Sequence, residues 1–522
     1  MSADPLATHD AGRSPATRRA RRLWLRRAGL AALLAIWAGT GIWQTSKPLP
    51  AGVRIEPPWQ NVRSGDLRLL IDTTTADGYG RAVLSQEIFD NVLAVIDQAR
   101  EFLVLDFFLF NDKSPVMSAT DPPRRELSRE LRDALVRRKK AHPDLEILFI
   151  TDPINDAYGG DPSPQLAALR EAGIDVVRTD LDRLRDSNPI YSALWRLGVR
   201  WWAGSGSGGD ALPDPLDGRP SRAGFASWAR LLNFKANHRK VVIGDDGHGG
   251  LTGVIASANP HDASSAHSNA GLRLTGPVLE PLLASELAIA RFSGWRGQLA
   301  RVMPPPERPR PPPASEAEFA AGTAVRARVL TEGSIRKAIV GRIDATVEGD
   351  AIDAALFYLA DRPVVESLLR ASGRGVAIRL ILDPGKDAFG RAKSGLPNRP
   401  VATELAASSD GAIKVRWYRT HGEQFHTKLL AVYDSERLWF TLGSANFTRR
   451  NLADYNLEAN VAVEAARTSA VSVALLRWFD TLWANRAPAG IEYTADFGVY
   501  ADPAQSRYWL YRVMEASGLS TF

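Results

Sequence analysis

The sequence predicts an α/β protein of two repeated halves, each a mixed sheet flanked by helices, behind one N-terminal transmembrane helix. Three observations predict it: an arginine-rich start followed by an apolar run, a proline-rich break past the middle, and the same order of elements on either side of that break. With 522 residues, 45% hydrophobic and 24% charged, the chain is long enough for two large domains. That composition excludes a disordered, fibrous or multi-span membrane protein. The absence of cysteine excludes disulfide scaffolds, cysteine-ligated zinc, iron–sulfur clusters and thiol nucleophiles.

Residues 1–27 form a basic tail of seven arginines against Asp4 and Asp10, which accounts for five of the six net positive charges. The remaining body is nearly neutral, so the broad cationic footprint that duplex nucleic acid requires is not visible. Ala28–Gln44 (AGLAALLAIWAGTGIWQ) is uncharged over 17 residues, the low end of what spans a bilayer. Cations collect on the cytoplasmic side, which predicts a single-pass signal-anchor in a bacterial-type cytoplasmic membrane, with the catalytic body on the extracytoplasmic, periplasmic side. The alternatives are a cleaved signal peptide and, from Arg21-Arg22-Leu23-Trp24, a loose match to a twin-arginine export signal.

The first half is expected over 60–302, a proline-rich linker over 303–316, the second half over 317–500 and a C-terminal tail over 501–522. In the first half, a helix at Ile88–Arg100 leads to an apolar strand at Phe102–Phe110, a helix at Arg124–Lys140 and a strand at Leu145–Ile150 that ends in Thr151-Asp152-Pro153. In the second half the same order runs through Ile335–Val347, Ile352–Leu359, Val364–Ser372 and Val376–Leu382, ending in Asp383-Pro384.

Late in each half the repeat becomes a motif. Asn237-His238-Arg239-Lys240 opens a strand that turns at Asp246–Gly250 and returns to Ala256-Ser257-Ala258-Asn259. Phe425-His426-Thr427-Lys428 opens another that turns at Ser435–Arg437 and returns to Gly443-Ser444-Ala445-Asn446. Ten residues beyond each Asn stands another, Asn269 and Asn456. On an extended strand residues i and i+2 share a face, so His238 pairs with Lys240 and His426 with Lys428. If the halves pack about a pseudo-two-fold axis, two imidazoles, two ammonium groups and the carboxamides of Asn259 and Asn446 converge. Such a cluster suits a phosphodiester: one neutral His attacks phosphorus, the other protonates the leaving oxygen, and Lys with Asn neutralise the non-bridging oxygens. A single His-x-Lys on a strand would more simply be a half-exposed surface pair. Repetition with matched Asn residues argues otherwise. The eight histidines include no His-Glu-x-x-His or similar close ligand set, so neither a metal nor another cofactor is expected.

These residues resemble the phospholipase D superfamily, marked by a duplicated His-x-Lys-x4-Asp motif followed by Gly-Ser-x-Asn. His238, Lys240 and Asp245 match the first copy. In the second, Tyr433 stands at the Asp position with Asp434 one residue late, and in the first Ala256 replaces the Gly. The resemblance implies a bilobal fold, a phosphohistidine intermediate, and activities of the phospholipase D, cardiolipin synthase or nuclease type. It assigns catalytic roles to His238, Lys240, Asn259, His426, Lys428 and Asn446, and supporting roles to Asp245, Asp434, Ser257 and Ser444. It also places an acidic residue after the second motif, at Glu458, whose counterpart counted from Asn269 is Gly271. A single carboxylate would make the two histidines unequal, and the resemblance favours His238 as nucleophile.

The anchor, the neutral body and Trp195–Trp202 (WRLGVRWW) favour a phospholipid substrate at a membrane, with water or an alcohol as acceptor, no nucleic acid and a monomeric catalytic unit. Core packing is the other reading of those Trp residues. The glycine- and proline-rich stretch Gly204–Gly218 is a candidate lid. The competing functions are an exported nuclease of the same fold and a catalytically silent module that binds anionic lipid.

Overall fold

Lys240–Asp245 (KVVIGD) and Lys428–Tyr433 (KLLAVY) are apolar almost throughout, the composition of strands covered on both faces, and each lies inside a large sheet. The computed structural model describes residues 15–113, 123–202, 212–213, 222–299, 324–388, 391–486, 491–520 and 522. The expected linker 303–316, the outer part of the basic tail and most of Gly204–Gly218 lie outside the described residues.

Among the described residues the two large sheets have eight and nine strands and repeat one local topology. In the first, Lys240–Asp245 pairs antiparallel with Leu251–Ala256 on one side and Phe102–Phe107 on the other, and Phe102–Phe107 continues in parallel to Glu146–Thr151 and Asp175–Arg178. In the second, Lys428–Tyr433 lies between Arg437–Gly443 and Ala351–Leu356, which runs in parallel to Ala377–Leu382 and Ile413–Tyr418. The registers agree, with Lys240 opposite Phe107 and Lys428 opposite Leu356.

Alternation sorts the side chains. Val241 and Ile243 join Leu429, Ala431 and Val461 in one core shared by both sheets. Val242 faces the helices Ile88–Gln98 and Leu127–Ala141, while Leu430 and Val432 face Gly333–Asp344 and Arg362–Gly373. The mixed-sheet, helix-flanked architecture expected from the repeat is therefore present in both sheets. The strand Gln60–Asn61 crosses over to pair with Val325–Thr331 of the second sheet. The segment expected as a C-terminal tail contains the helix Gln505–Ser517, tied down by the buried Tyr511, whose hydroxyl donates to Glu404 at 3.0 Å.

The halves are joined at their motifs. His238 N donates to Leu457 O (2.9 Å) and Leu457 N to Ala236 O (3.1 Å); correspondingly, His426 N donates to Ser268 O (2.8 Å) and Ser268 N to Gln424 O (3.0 Å). Behind this seam Arg239, fully buried, pairs with Glu286 (3.0 Å) and Glu332 (2.8 Å), and Glu332 also accepts from Glu458 N (3.1 Å). Burial pushes the Glu332 carboxyl up to about 7 against the attraction of Arg239.

The expected transmembrane segment Ala28–Gln44 lies within one helix, Pro15–Ser46, but among the described residues no helix is long and apolar enough to cross a membrane. Seventeen residues rise only about 25 Å, short of a hydrocarbon core of about 30 Å, and arginines precede them. The end of the helix is docked on the body instead: Trp37 Nε1 donates to Ile190 O (3.0 Å), Lys47 Nζ to Asp182 O (2.8 Å), and Gly41 packs on Pro189.

Removing Arg239 would leave two buried carboxylates without their cation. Arg239→Met is expected to lower stability by about 3–5 kcal/mol, read as a shift of the urea midpoint; an unshifted midpoint would show that the seam does not depend on this pair.

Candidate active site

Each motif histidine is oriented by a residue of the opposite half. His238 Nδ1 bonds Glu458 at 2.8 Å, and His426 Nδ1 bonds Asn269 Oδ1 at 3.1 Å. Asn269 Nδ2 donates to His267 O (3.0 Å), which leaves Oδ1 as the acceptor toward the imidazole. Both acceptors draw Nδ1–H tautomers and leave the two Nε2 lone pairs available.

A serine supports each acceptor. Ser257 Oγ donates to Asn269 Oδ1 (2.9 Å) and accepts from Ala270 N (3.1 Å); Ser444 Oγ donates to Glu458 and accepts from Ala459 N (3.0 Å). Glu458 also accepts from Asn451 Nδ2. The counterpart of Glu458 is thus Asn269 and not Gly271. Gly271 lies in the β ladder opposite Ala256, where a Cβ would come within 2.9 Å of the Ala256 side chain. The second half is two residues longer between its motif Asn and this position, so counting from Asn456 pairs the wrong residues. Asn456 corresponds to His267: Asn456 Oδ1 accepts from Ala236 N (3.1 Å), and His267 Nδ1 accepts from Gln424 N (3.3 Å).

The lysines repeat the symmetry. Lys240 Nζ donates to His238 O and Lys428 Nζ to His426 O, both at 2.6 Å. Phe108 packs on His238 with ring centroids 4.9 Å apart, and Phe357 on His426 at 4.8 Å; each lysine ammonium lies 5.1 Å from the same phenyl ring. Asn259 Oδ1 accepts from Leu109 N at 3.3 Å, whereas the buried Asn446 Oδ1 has no hydrogen-bond partner among the described residues.

Asp245 supports the strand: its carboxylate accepts from the backbone N–H of Arg100, Glu101 and Phe102. Asp434 does not repeat this role, since it accepts from Glu436 N and Arg437 N in the turn, while the hydroxyl of Tyr433 donates to Asp353 at 2.9 Å. The carboxylates that hold the backbone just ahead of the histidines are Asp152, which accepts from Asn237 N (2.7 Å), and Asp383, which accepts from Phe425 N (2.8 Å). Burial pushes both up to about 7. Their signal in the sequence is the repeated Asp-Pro at a strand end; Phe108 and Phe357 are the first residues after matching strands, Phe102–Phe107 and Ala351–Leu356.

Electrostatically the site is short of negative charge. Burial pushes His238 down to about 4 despite the attraction of Glu458, and Lys240 down to about 7. His426 falls well below its ordinary value through burial and then through repulsion from Lys428, His267 and Lys240, and Lys428 falls well below its own through burial and then repulsion from Lys240. His238 is therefore neutral beside an ionised Glu458, whose carboxyl is held low by the His238 pair despite burial. An anion entering between the lysines would reverse these shifts, because it supplies the charge that burial withholds. Among the described residues no cluster of three His, Cys, Asp or Glu side chains could hold a metal ion.

A family model described as cardiolipin synthase, phospholipase D-like domain, matches residues 340–483, which include the second motif and Glu458. No curated protein sequence matches the chain. Among solved structures, phosphatidylserine synthase of Haemophilus influenzae Rd KW20 is similar with a TM-score of 0.51 at 10% identity, over 88% of this chain and 94% of that one. Nuc of Salmonella typhimurium, a phospholipase D family member, aligns at 0.25 and 19% identity over 34% of this chain and 99% of that one. A yeast tyrosyl-DNA phosphodiesterase mutant aligns at 0.34 and 8% identity, over 71% and 83%. The match assigns residues 340–483 to a phospholipase D-like domain, and the fold of the chain is similar to that of the phosphatidylserine synthase.

Proposed function

We propose that the chain is a phosphodiesterase or phosphatidyltransferase that acts on phospholipid headgroups through a phosphohistidine on His238. The observation that carries this reading is the unequal pair of orienting groups, a carboxylate on His238 and a carboxamide on His426. Glu458 stabilises positive charge on His238, which is what a histidine needs as its Nε2 bonds phosphorus. Asn269 orients His426 without stabilising its cation, which keeps the imidazolium a ready proton donor. In the first step the His238 Nε2–P bond forms and the P–O bond to the leaving alcohol breaks, with His426 giving that oxygen its proton. In the second, water or an acceptor alcohol gives its proton to His426 and attacks phosphorus, and the N–P bond breaks. Lys240, Lys428, Asn259 and Asn446 balance the non-bridging oxygens, and no step calls for a metal.

The nearly neutral body and the aromatic Trp195–Trp202 segment support a lipid substrate over nucleic acid. The arginine-rich N-terminal helix supports attachment at the surface of the cytoplasmic membrane. The deciding comparison is phosphatidyl transfer or hydrolysis on phosphatidylglycerol vesicles against cleavage of single-stranded DNA, each with excess chelator. Chelator-insensitive turnover of the lipid is expected. Turnover of DNA alone would make the chain a nuclease, and none on either substrate would leave a lipid-binding module.

The asymmetry predicts two pH profiles. Glu458→Gln should lower turnover by about a hundredfold or more with the fold intact. Because it removes the charge that favours the imidazolium, it should also move the acid limb of kcat/KM, set by His238 at about 4, to lower pH. Asn269→Asp acts in the opposite sense: a carboxylate raises the pKa of His426, so the basic limb of kcat should move to higher pH. Unmoved limbs in both variants would make the two acceptors structural.

A further inference from the structure

Outside the catalytic cluster, a run of large apolar side chains lies exposed on the segment that begins at Pro189. The helix Pro189–Leu194 runs through a wider turn, Trp195–Val199, into Arg200–Trp202. Ile190, Leu194, Leu197 and Trp201, spaced four, three and four residues apart, are all exposed, and Trp202 beside them is 90% exposed. The inner face of the same segment is anchored by buried Ser192, Ala193 and Trp195. The outward stripe is thus fixed by packing.

The N-terminal helix docks against this segment through Trp37 and Gly41, and on Asp186 just ahead of it through Thr45, and leaves Leu30, Leu33, Leu34 and Ile36 exposed. Neither Pro15–Ser46 nor Pro189–Trp202 contains an acidic residue. The first carries exposed Arg19, Arg21, Arg22, Arg26 and Arg27, and in the second the Arg200 guanidinium lies over the Trp201 ring at 4.2 Å. An apolar stripe with tryptophans and a one-signed cationic fringe is complementary to a bilayer surface that bears anionic headgroups; a protein partner gives no reason for the uniform sign.

The surface is also tied to the site. Its root, Ser187 and Asn188, bonds to Phe234 O (3.4 Å) and Leu232 O (3.2 Å), and Ser187 O accepts from Arg449 (3.3 Å). Phe234 lies four residues before His238, and Arg449 three after Asn446. We infer that the Pro189–Trp202 segment and the flank of the N-terminal helix form a docking platform for an anionic phospholipid bilayer, which holds the protein in the plane of one leaflet beside its catalytic mouth. This deepens the proposed lipid reading and rests on it for the substrate, while the platform itself stands or falls on binding.

The test uses the full chain and its Trp201→Ser/Trp202→Ser variant. Co-sedimentation is measured with vesicles of phosphatidylcholine alone and of phosphatidylcholine with phosphatidylglycerol, together with turnover of the soluble diester bis(p-nitrophenyl) phosphate. The parent should bind the anionic vesicles, and the variant should bind them at least about tenfold more weakly, with soluble turnover and thermal midpoint unchanged. Equal binding by parent and variant, no binding by the parent, or indifference to phosphatidylglycerol would each overturn the platform. A variant that only shifts the oligomeric state would assign the stripe to a contact between copies and overturn it as well. Vesicle binding without turnover of any phosphodiester would instead overturn the catalytic reading and leave the platform standing.

Discussion

The reciprocal backbone exchange between the halves is the constraint on which the site depends. His238 N reaches Leu457 O and His426 N reaches Ser268 O, and the next residue along each accepting strand supplies the group that orients the histidine. A half on its own would hold a histidine and a lysine but no acceptor for Nδ1. Tautomer, ring orientation and the meeting of the two imidazoles all follow from one seam, itself backed by the buried pairs of Arg239 with Glu286 and Glu332.

Symmetry of backbone is combined with asymmetry of charge. Phe108 and Phe357, Asp152 and Asp383, Ser257 and Ser444, and the two lysines occupy matching places. Only at the Nδ1 acceptor does a carboxylate face a carboxamide, and only behind the first histidine does a buried arginine replace a threonine, Thr427, whose hydroxyl donates to Ala355 O at 3.0 Å. A duplicated fold would otherwise give two equivalent imidazoles; a one-residue difference in charge distinguishes them at little structural cost. Burial then acts on the whole cluster, holding it close to neutral until an anion arrives. A buried cluster of two lysines and two histidines responds to the charge of what approaches it more strongly than exposed groups would.

The N-terminal helix sets a hydropathy pattern beside the contacts that its residues make. Its apolar run reads as a span when taken alone. In the structure its last turns are occupied by contacts to Asp182, Asp186 and Ile190, so the same residues that suggest a bilayer also meet the protein's own surface. The apolar side chains left over add to those of Trp195–Trp202, of which Trp195 is core and Trp201 and Trp202 are exposed. The core reading of that segment thus holds for Trp195 and not for Trp201 or Trp202.

The sequence by itself determined the duplication, the two histidine strands and the i, i+2 pairing of His with Lys, because these depend on local alternation and on short spacings that any strand must obey. Through the motif it also placed Glu458 among the candidate site residues. Only the tertiary structure decided that Glu458 belongs to His238, and that its counterpart is Asn269 where counting pointed to Gly271. The first pairing spans 220 residues and depends on how two sheets meet; the second was hidden by two extra residues between Asn446 and Glu458, which shift the count without moving the strand. Asp434 misled for a related reason: a carboxylate one position late on a strand points to the other side, so the turn took it and Tyr433 turned to Asp353 instead. Local periodicity is written in neighbouring residues, whereas the partner of a side chain across a domain seam is set by the packing of everything between.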